Sequence, residues 1–250
     1  MQAYFTLIRR ELGSYFLSMT GYVILAASMF LLGLSFVVML LNLQQEPTPM
    51  PITEIFYLTP FFWIILLLAT PVITMRLFAL EKFSGTFETL MTAPVSDLQV
   101  VLAKFTAAMV FYLILWLPLF ACLAVVWNFT SDRSGFDAGV LGSTFLGIAL
   151  LGCMFISLGC CASAVTRSQV TAAMISLMFG ASLFLIGVLA GQASTHTGWQ
   201  AEVLSVCSLF DQMHDFSRGI VDTRPMVFYL TLSLFFLFLT LRIVESRRWK

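Results

Sequence analysis

The sequence predicts an all-α integral membrane protein: six transmembrane helices behind an N-terminal interfacial helix, with both termini cytoplasmic. Three observations carry this. Hydrophobic residues fill 60% of the 250 positions and charged residues only 10%, against about 25% charged in an ordinary soluble domain. The remaining charges are not scattered but separate six long charge-free runs. The basic residues then gather on one side of those runs, as they do beside the cytoplasm. A soluble globule of this size has too little interior for so much apolar surface. A chain with 25 Phe and 5 Trp is not composed like a disordered one. A formal net charge of zero offers no basic surface to nucleic acid.

Along residues 3–16, Tyr4, Phe5, Leu7, Ile8, Leu12, Tyr15 and Phe16 share one half of a helical wheel. Thr6, Arg9, Arg10, Gly13 and Ser14 fill the other half, and Glu11 intrudes on the apolar side. This predicts a helix within residues 1–19 lying along the inner leaflet, with Arg9, Arg10, Tyr15 and Phe16 at the interface. The charge-free runs cover 12–45, 55–75, 105–131, 138–166, 168–201 and 225–241. A helix needs about 20 residues to cross the hydrocarbon, so each run fits one crossing and none comfortably fits two. The spans are placed near 20–43, 55–76, 105–128, 139–165, 170–191 and 225–243, within one transmembrane domain covering 1–250. Strands of a membrane barrel would be about ten residues long with alternating polarity, unlike these uniformly apolar runs. The first run is too long for the core of a signal peptide, and five more follow it.

Six crossings return the chain to the side on which it began. Arg9, Arg10, Arg76, Lys82, Lys104, Arg167, Arg242, Arg247, Arg248 and Lys250 fall on that side, and Arg133, Arg218 and Arg224 on the other. Adding Glu11, Glu81, Glu88, Asp97 and Glu245 leaves the side of the termini net positive and the outer side net negative. The zero total is therefore a sum over two oppositely charged faces.

Pro60 and Pro71 in the second span and Pro118 in the third should kink or break those helices. Gly139, Ser143 and Gly147 recur every four residues in the fourth span. Ala172, Ser176 and Gly180 do so in the fifth, followed by Gly187 and Gly191. Such spacing lets backbones approach closely. Cys122, Cys153, Cys160 and Cys161 read as small apolar fillers, and Cys207 stands alone on the outer side.

The longest cytoplasmic loop, 77–104, is expected to be structured. Ser84-Gly85-Thr86 breaks the helix descending from the second span. Thr86 can cap a short helix at about 87–92, with Glu88 in its first turn facing the positive end of the dipole. That helix must stop before Pro94. Ser96-Asp97-Leu98-Gln99 is a capping-box pattern that starts the helix into the third span. Phe83, Phe87, Leu90 and Met91 would be exposed unless a partner or the membrane covers them. The other cytoplasmic connection, 166–169, is a minimal turn. On the outer side, 44–54 carries Pro47, Pro49 and Pro51 and reads as extended. Within 192–224, Val203, Leu204, Val206, Leu209, Phe210, Met213, Phe216 and Ile220 recur at helical spacing among Asp211, His214, Asp215 and Arg218. Short amphipathic helices dipping into the outer leaflet and a small folded outer loop both fit that pattern.

The span interiors hold no Asp, Glu, Lys, Arg or His. Ion-coupled carriers place ionisable groups there, and many channels use charged rings. Intramembrane proteases need His in a span, and the only two His residues, His196 and His214, lie outside. Gly-Lys-Ser/Thr never occurs, so no phosphate loop is present. The chain reads as a non-enzyme that binds no cofactor of its own.

The run Arg76-Leu77-Phe78-Ala79-Leu80-Glu81-Lys82-Phe83-Ser84-Gly85-Thr86-Phe87-Glu88-Thr89-Leu90-Met91-Thr92-Ala93-Pro94-Val95-Ser96 resembles the segment after the second span in ABC-2 type transporter permeases. Arg10-Glu11-Leu12 with Tyr15-Phe16, and Phe216-Ser217-Arg218-Gly219-Ile220-Val221-Asp222, look like the same family's start and end. The combination is most like its gliding-motility-associated branch. Leu80 stands where that family often has an acidic residue, leaving Glu81 as the loop-end carboxylate.

The resemblance implies a six-span half transporter in the bacterial inner membrane. Such a half pairs with a second permease half, identical or related, and docks a separate cytoplasmic ATPase that binds ATP and Mg. An auxiliary membrane protein is a further implied partner. It implies ATPase coupling through Glu81, Lys82, Gly85, Thr86, Phe87, Glu88, Leu90, Met91 and Pro94, with 87–92 as the coupling helix. It also implies export of a lipid-like, amphipathic or polymeric substrate. Two other readings fit the residues: a non-transporting scaffold that recruits a cytoplasmic partner, and an ATP-independent channel.

Overall fold

In the computed structural model, residues 2–45, 52–87, 95–129, 137–192 and 208–248 are described. Ten helices are bounded within them, Thr86 and Phe87 are helical as well, and there is no strand among the described residues. Helix α1 (Gln2–Phe16) is followed by α2 (Met19–Gln45), the short α3 (Ile52–Leu58), α4 (Pro60–Thr74) and the short α5 (Ala79–Ser84). Then come α6 (Asp97–Phe129), α7 (Ala138–Val165), α8 (Gln169–Gln192), α9 (Leu209–Ser217) and α10 (Thr223–Arg248). Six stretches are long and apolar enough to cross a membrane: Met19–Asn42, Pro60–Ser84, Asp97–Asn128, Ala138–Val165, Gln169–Leu189 and Thr223–Ser246. The expected count and order of spans are thus present.

The second span departs from its expected 55–76 course. Pro60 opens α4, where a residue without an N–H costs nothing. The residues before it form the separate helix α3, set off by the extended Thr59. Pro71 leaves a carbonyl one turn earlier without its donor, and α4 ends at Thr74, before a turn at 75–78 and α5. Pro118 likewise lies inside its helix, and α6 continues well beyond it to Phe129. The first outer connection was expected to be extended over 44–54, yet Ile52–Glu54 are already helical. Ile55, Phe56 and Tyr57 are buried in the core, and that packing holds the short helix. The capping box is present as read: Ser96 Oγ accepts from the Gln99 N–H at 3.3 Å, and Gln99 Oε1 accepts from the Ser96 N–H at 3.4 Å.

Helix α7 is the centre of the bundle and the most buried span. It packs against α4, α6, α8, α9 and α10. Glycines make this approach possible. A Cβ on Gly152 would lie 2.1 Å from the Tyr112 ring of α6, and one on Gly159 would lie 2.1 Å from Thr74 Oγ1 of α4. One on Gly147 would crowd Met213 and Phe216 of α9 at 3.0 Å. The four-residue pattern identified Gly147 and, on α8, Gly180, which abuts Phe155. It passed over Gly152 and Gly159, which are seven apart. Hydroxyls inside the spans are satisfied locally: Thr70, Thr74 and Thr144 each donate to the carbonyl four residues back.

Helices α2, α8 and α10 keep an outward apolar coat, including Phe30, Val37, Met174, Met178, Leu234 and Phe238. Water would not tolerate so large an apolar surface. One end of the bundle carries both chain termini and α5 (the terminal end below). The other carries α3 and α9 (the distal end).

The glycine contacts give a direct test. Gly159→Ala and Gly152→Ala should each destabilise the protein by about 1–3 kcal/mol through overpacking. Gly142→Ala on the same helix, where nothing lies within 4 Å, should be neutral. Thermal unfolding of the three variants in detergent distinguishes these outcomes.

Candidate functional site

Most of the residues singled out in the sequence meet at the terminal end, where α1, α5 and the start of α6 converge. Helix α1 docks on α6 through a face that includes Tyr4, Glu11 and Tyr15. The Tyr15 hydroxyl donates to the Ile73 carbonyl at 2.9 Å, and its ring stacks on Phe111 with centroids 4.8 Å apart. Phe16 meets Phe111 edge-on at 5.5 Å, and the Tyr4 hydroxyl donates to Thr106 Oγ1 at 3.3 Å. Part of the apolar half of the wheel is therefore spent on protein. Phe5 on α1, Leu17 just after it and Met19 at the start of α2 remain exposed. Arg9 is exposed on the far side.

Glu11, the residue that spoiled the wheel, is the reason for this docking. Lys104 Nζ donates to Glu11 Oε1 at 3.1 Å and to Glu81 Oε1 at 2.9 Å. Arg10 Nη2 donates to the same two oxygens at 2.7 and 3.1 Å. Two cations and two carboxylates thus close a ring joining α1, α5 and α6. Lys104 is only 2% exposed, and its ammonium also lies 5.4 Å from the centre of the Phe78 ring, a favourable position for a cation. Burial by itself would raise the Glu11 pKa. The Lys104 charge and the Arg10 and Lys104 hydrogen bonds outweigh it and hold the carboxyl below its ordinary range.

The root of the loop is tied to α7 as well. Ser163 Oγ accepts from the backbone N–H groups of Phe78 and Ala79 at 3.0 and 3.1 Å. Its own hydrogen goes to the Met75 carbonyl at 3.2 Å. One hydroxyl therefore satisfies the backbone groups that the break between α4 and α5 leaves open. Lys82 donates to the Ala164 carbonyl and lies 5.4 Å from the centre of the Phe87 ring. Helix α5 ends at Gly85, whose φ of 75° is left-handed and suits glycine. Thr86 shares a hydrogen bond with Ser84 at 2.8 Å, and Phe87 is buried. Glu88, Leu90, Met91 and Pro94, and with them most of the expected coupling helix, lie outside the described residues.

Between α1 and this root lies a cleft of about 590 Å³, lined by Arg10, Ser14, Arg76, Leu80, Glu81 and Thr86 among others. Arg76 donates to the hydroxyls of Ser18 and Thr20, pinning the turn between α1 and α2. The charges in the ring compensate one another, so the arrangement is a mechanical tie. No set of His, Cys, Asp or Glu suited to a metal ion comes together among the described residues.

Sequence reasoning placed Arg10 and Glu81 here but omitted Glu11 and Lys104 from the site. In the sequence Lys104 reads as the flank of the span at 105–128; the capping box gives the helix start correctly, but not that α1 and α5 cover Lys104. The signal that could have found the pair was the lone carboxylate on the apolar side of α1, since a buried charge needs a partner.

Two outcomes follow. Lys104→Met should cost about 3 kcal/mol, because it leaves buried carboxylates short of a counter-ion; thermal unfolding measures the loss. A carboxyl whose pKa is lower folded than unfolded contributes stability above its unfolded pKa, and that contribution is lost as pH falls through the folded value. The docking of α1 should therefore weaken only below the ordinary carboxylate value of 4.5. A Glu11→Gln variant should show a shallower fall of Tm with acidification than the parent protein.

Compared with known families, residues 41–244 match a family model described as ABC-2 family transporter protein. The match is to that family as a whole and does not single out the gliding-associated branch. No curated protein matches the chain.

Proposed function

The chain belongs to the ABC-2 family of transporter proteins, and from that premise we propose that it is the membrane permease half of an ATP-driven exporter. Membership of the family implies an ATPase subunit as partner. In this reading the terminal end faces the cytoplasm of a bacterial cell, in agreement with the excess of basic residues there. ATP with Mg is bound and hydrolysed by the separate subunit, because this chain has no phosphate loop. A second permease half, identical or related, completes the pathway. The apolar coats of α2, α8 and α10 supply faces for lipid and for that half. The substrate is lipid-like, amphipathic or polymeric, a class that apolar and aromatic walls handle without buried charge.

The observation that carries the reading is the ion ring. It roots the 77–104 loop in α1 and α6 together, while Ser163 and Lys82 root it in α7. A push on the loop from a closing ATPase pair would reach three elements at once instead of deforming a connector.

The test is co-purification with the ATPase encoded beside it, followed by transport in vesicles. Glu88→Ala, Leu90→Ala and Glu81→Gln should each lower transport at least several-fold while insertion and ATPase binding persist. Normal transport by all three would sink the coupling assignment. A reconstituted complex that hydrolyses ATP but moves no substrate would favour the scaffold reading.

A further inference from the structure

The distal end holds another ionic cluster among the described residues, which the coupling argument does not use. Glu54 on α3 is 1% exposed, yet both of its oxygens are engaged from α9 and the residue after it. Arg218 donates from Nε to Oε2 at 3.0 Å and from Nη2 to Oε1 at 2.8 Å, a two-pronged fork. His214 Nε2 lies 3.0 Å from Oε1. Around this fork, Thr53 Oγ1 donates to the Ser217 carbonyl at 2.8 Å and the Tyr57 hydroxyl to the Phe210 carbonyl at 2.7 Å. Three residues of α3 and the segment 210–218 are thus stitched together across more than 150 positions of sequence.

Neither helix could stand alone. Helix α3 has seven residues and α9 nine, below the roughly 12–15 at which an isolated helix becomes even marginal in water. Helix α9 is finished at both ends by its own sequence. Ser208 Oγ accepts from the Asp211 N–H at 3.3 Å. At the other end the Gly219 N–H reaches the Phe216 carbonyl and the Ile220 N–H the Asp215 carbonyl, with Gly219 at φ 87°, a Schellman ending. Its apolar face, Leu209, Met213 and Phe216, is fully buried. That face rests on α7 at Gly147 and is fixed there by Ser143 Oγ donating to the Phe216 carbonyl at 2.7 Å. The pair spans the distal ends of α2, α4, α7 and α8. Aromatic contacts run beneath it from Tyr57 and Phe210 to Trp63.

We propose that α3 and α9 form a cap over the distal end of the bundle and that Glu54 is its latch. The cap is a preformed unit with defined ends, seated on a glycine of α7. It is joined across its middle by one carboxylate that receives three donors. Breaking that junction leaves α9 held by the Thr53, Tyr57 and Ser143 hydrogen bonds and its apolar face, and so lowers the cost of its lifting from Gly147 while α7 and its other neighbours keep their packing. In the exporter this is the part that must yield for a substrate to leave on the distal side. That purpose rests on the permease reading; the mechanics of the latch do not.

Hydrogen exchange by mass spectrometry on the purified full chain in lipid nanodiscs tests the latch without ATPase or substrate, so it can fail independently of the transport assay. In Glu54→Gln, amides of residues 209–217 should exchange faster by about tenfold or more, while those of residues 150–160 in α7 stay at the parental rate. Arg218→Gln should do the same and Glu54→Asp much less. In case Glu54→Gln fails to fold, Arg218→Gln alone carries the comparison. Unchanged exchange in 209–217, or faster exchange spread equally through α7, would overturn the proposal.

Discussion

The structure depends on the need of one buried ammonium, that of Lys104, for counter-charge. An unpaired cation in this surrounding would cost several kcal/mol, roughly, even after relaxation. Its position eight residues into α6 cannot be relieved by extending the side chain to water. Two carboxylates must therefore come to it, and they arrive on two other helices. Glu11 brings α1 against α6, and Glu81 ties α5 to α6. Arg10 then completes the charge balance from the exposed side. The arrangement of the whole terminal end follows from the place of one charge.

A second constraint works by subtraction. Helix α7 can touch so many neighbours because at Gly147, Gly152 and Gly159 it presents backbone where other helices present side chains. Lipid supplies no hydrophobic force between helices, so stability in this bundle comes from close contact and internal hydrogen bonds. The fixed hydroxyls of Ser163 and Ser143 sit near the two ends of the same helix. Each ties α7 to the irregular segment at that end, the 75–79 turn at one and the end of α9 at the other.

The spans were legible in the sequence because hydrocarbon thickness imposes a length, and charge-free runs report length directly. Helix stops at Gly85 and starts at Ser96 were legible because capping is local chemistry. What the sequence concealed was tertiary. Helix α4 stops about one turn after Pro71 whereas α6 runs on for about three turns past Pro118, and nothing in either neighbourhood of sequence separates them. Lys104 looked like the flank of an apolar run because its burial depends on α1 and α5 packing over it, which no local pattern in α6 reports. Glu54 sat beside a proline-rich loop whose partners lie more than 150 residues away, beyond the reach of any periodicity. The short helix expected at 87–92 falls largely outside the described residues.

The two ionic clusters also differ in when they can exist during synthesis. All four members of the ring lie within the first 104 residues. The ring can close while α7 is still unmade, since chains fold as they emerge from their N-terminal end. Glu54 is made early but its partners, His214 and Arg218, are nearly the last polar groups before the final span. Until they arrive, a carboxylate that ends almost wholly buried has no counter-ion of its own. The nascent chain thus carries a marker of incompleteness at one end while the other is already assembled, and the arrival of α9 removes it.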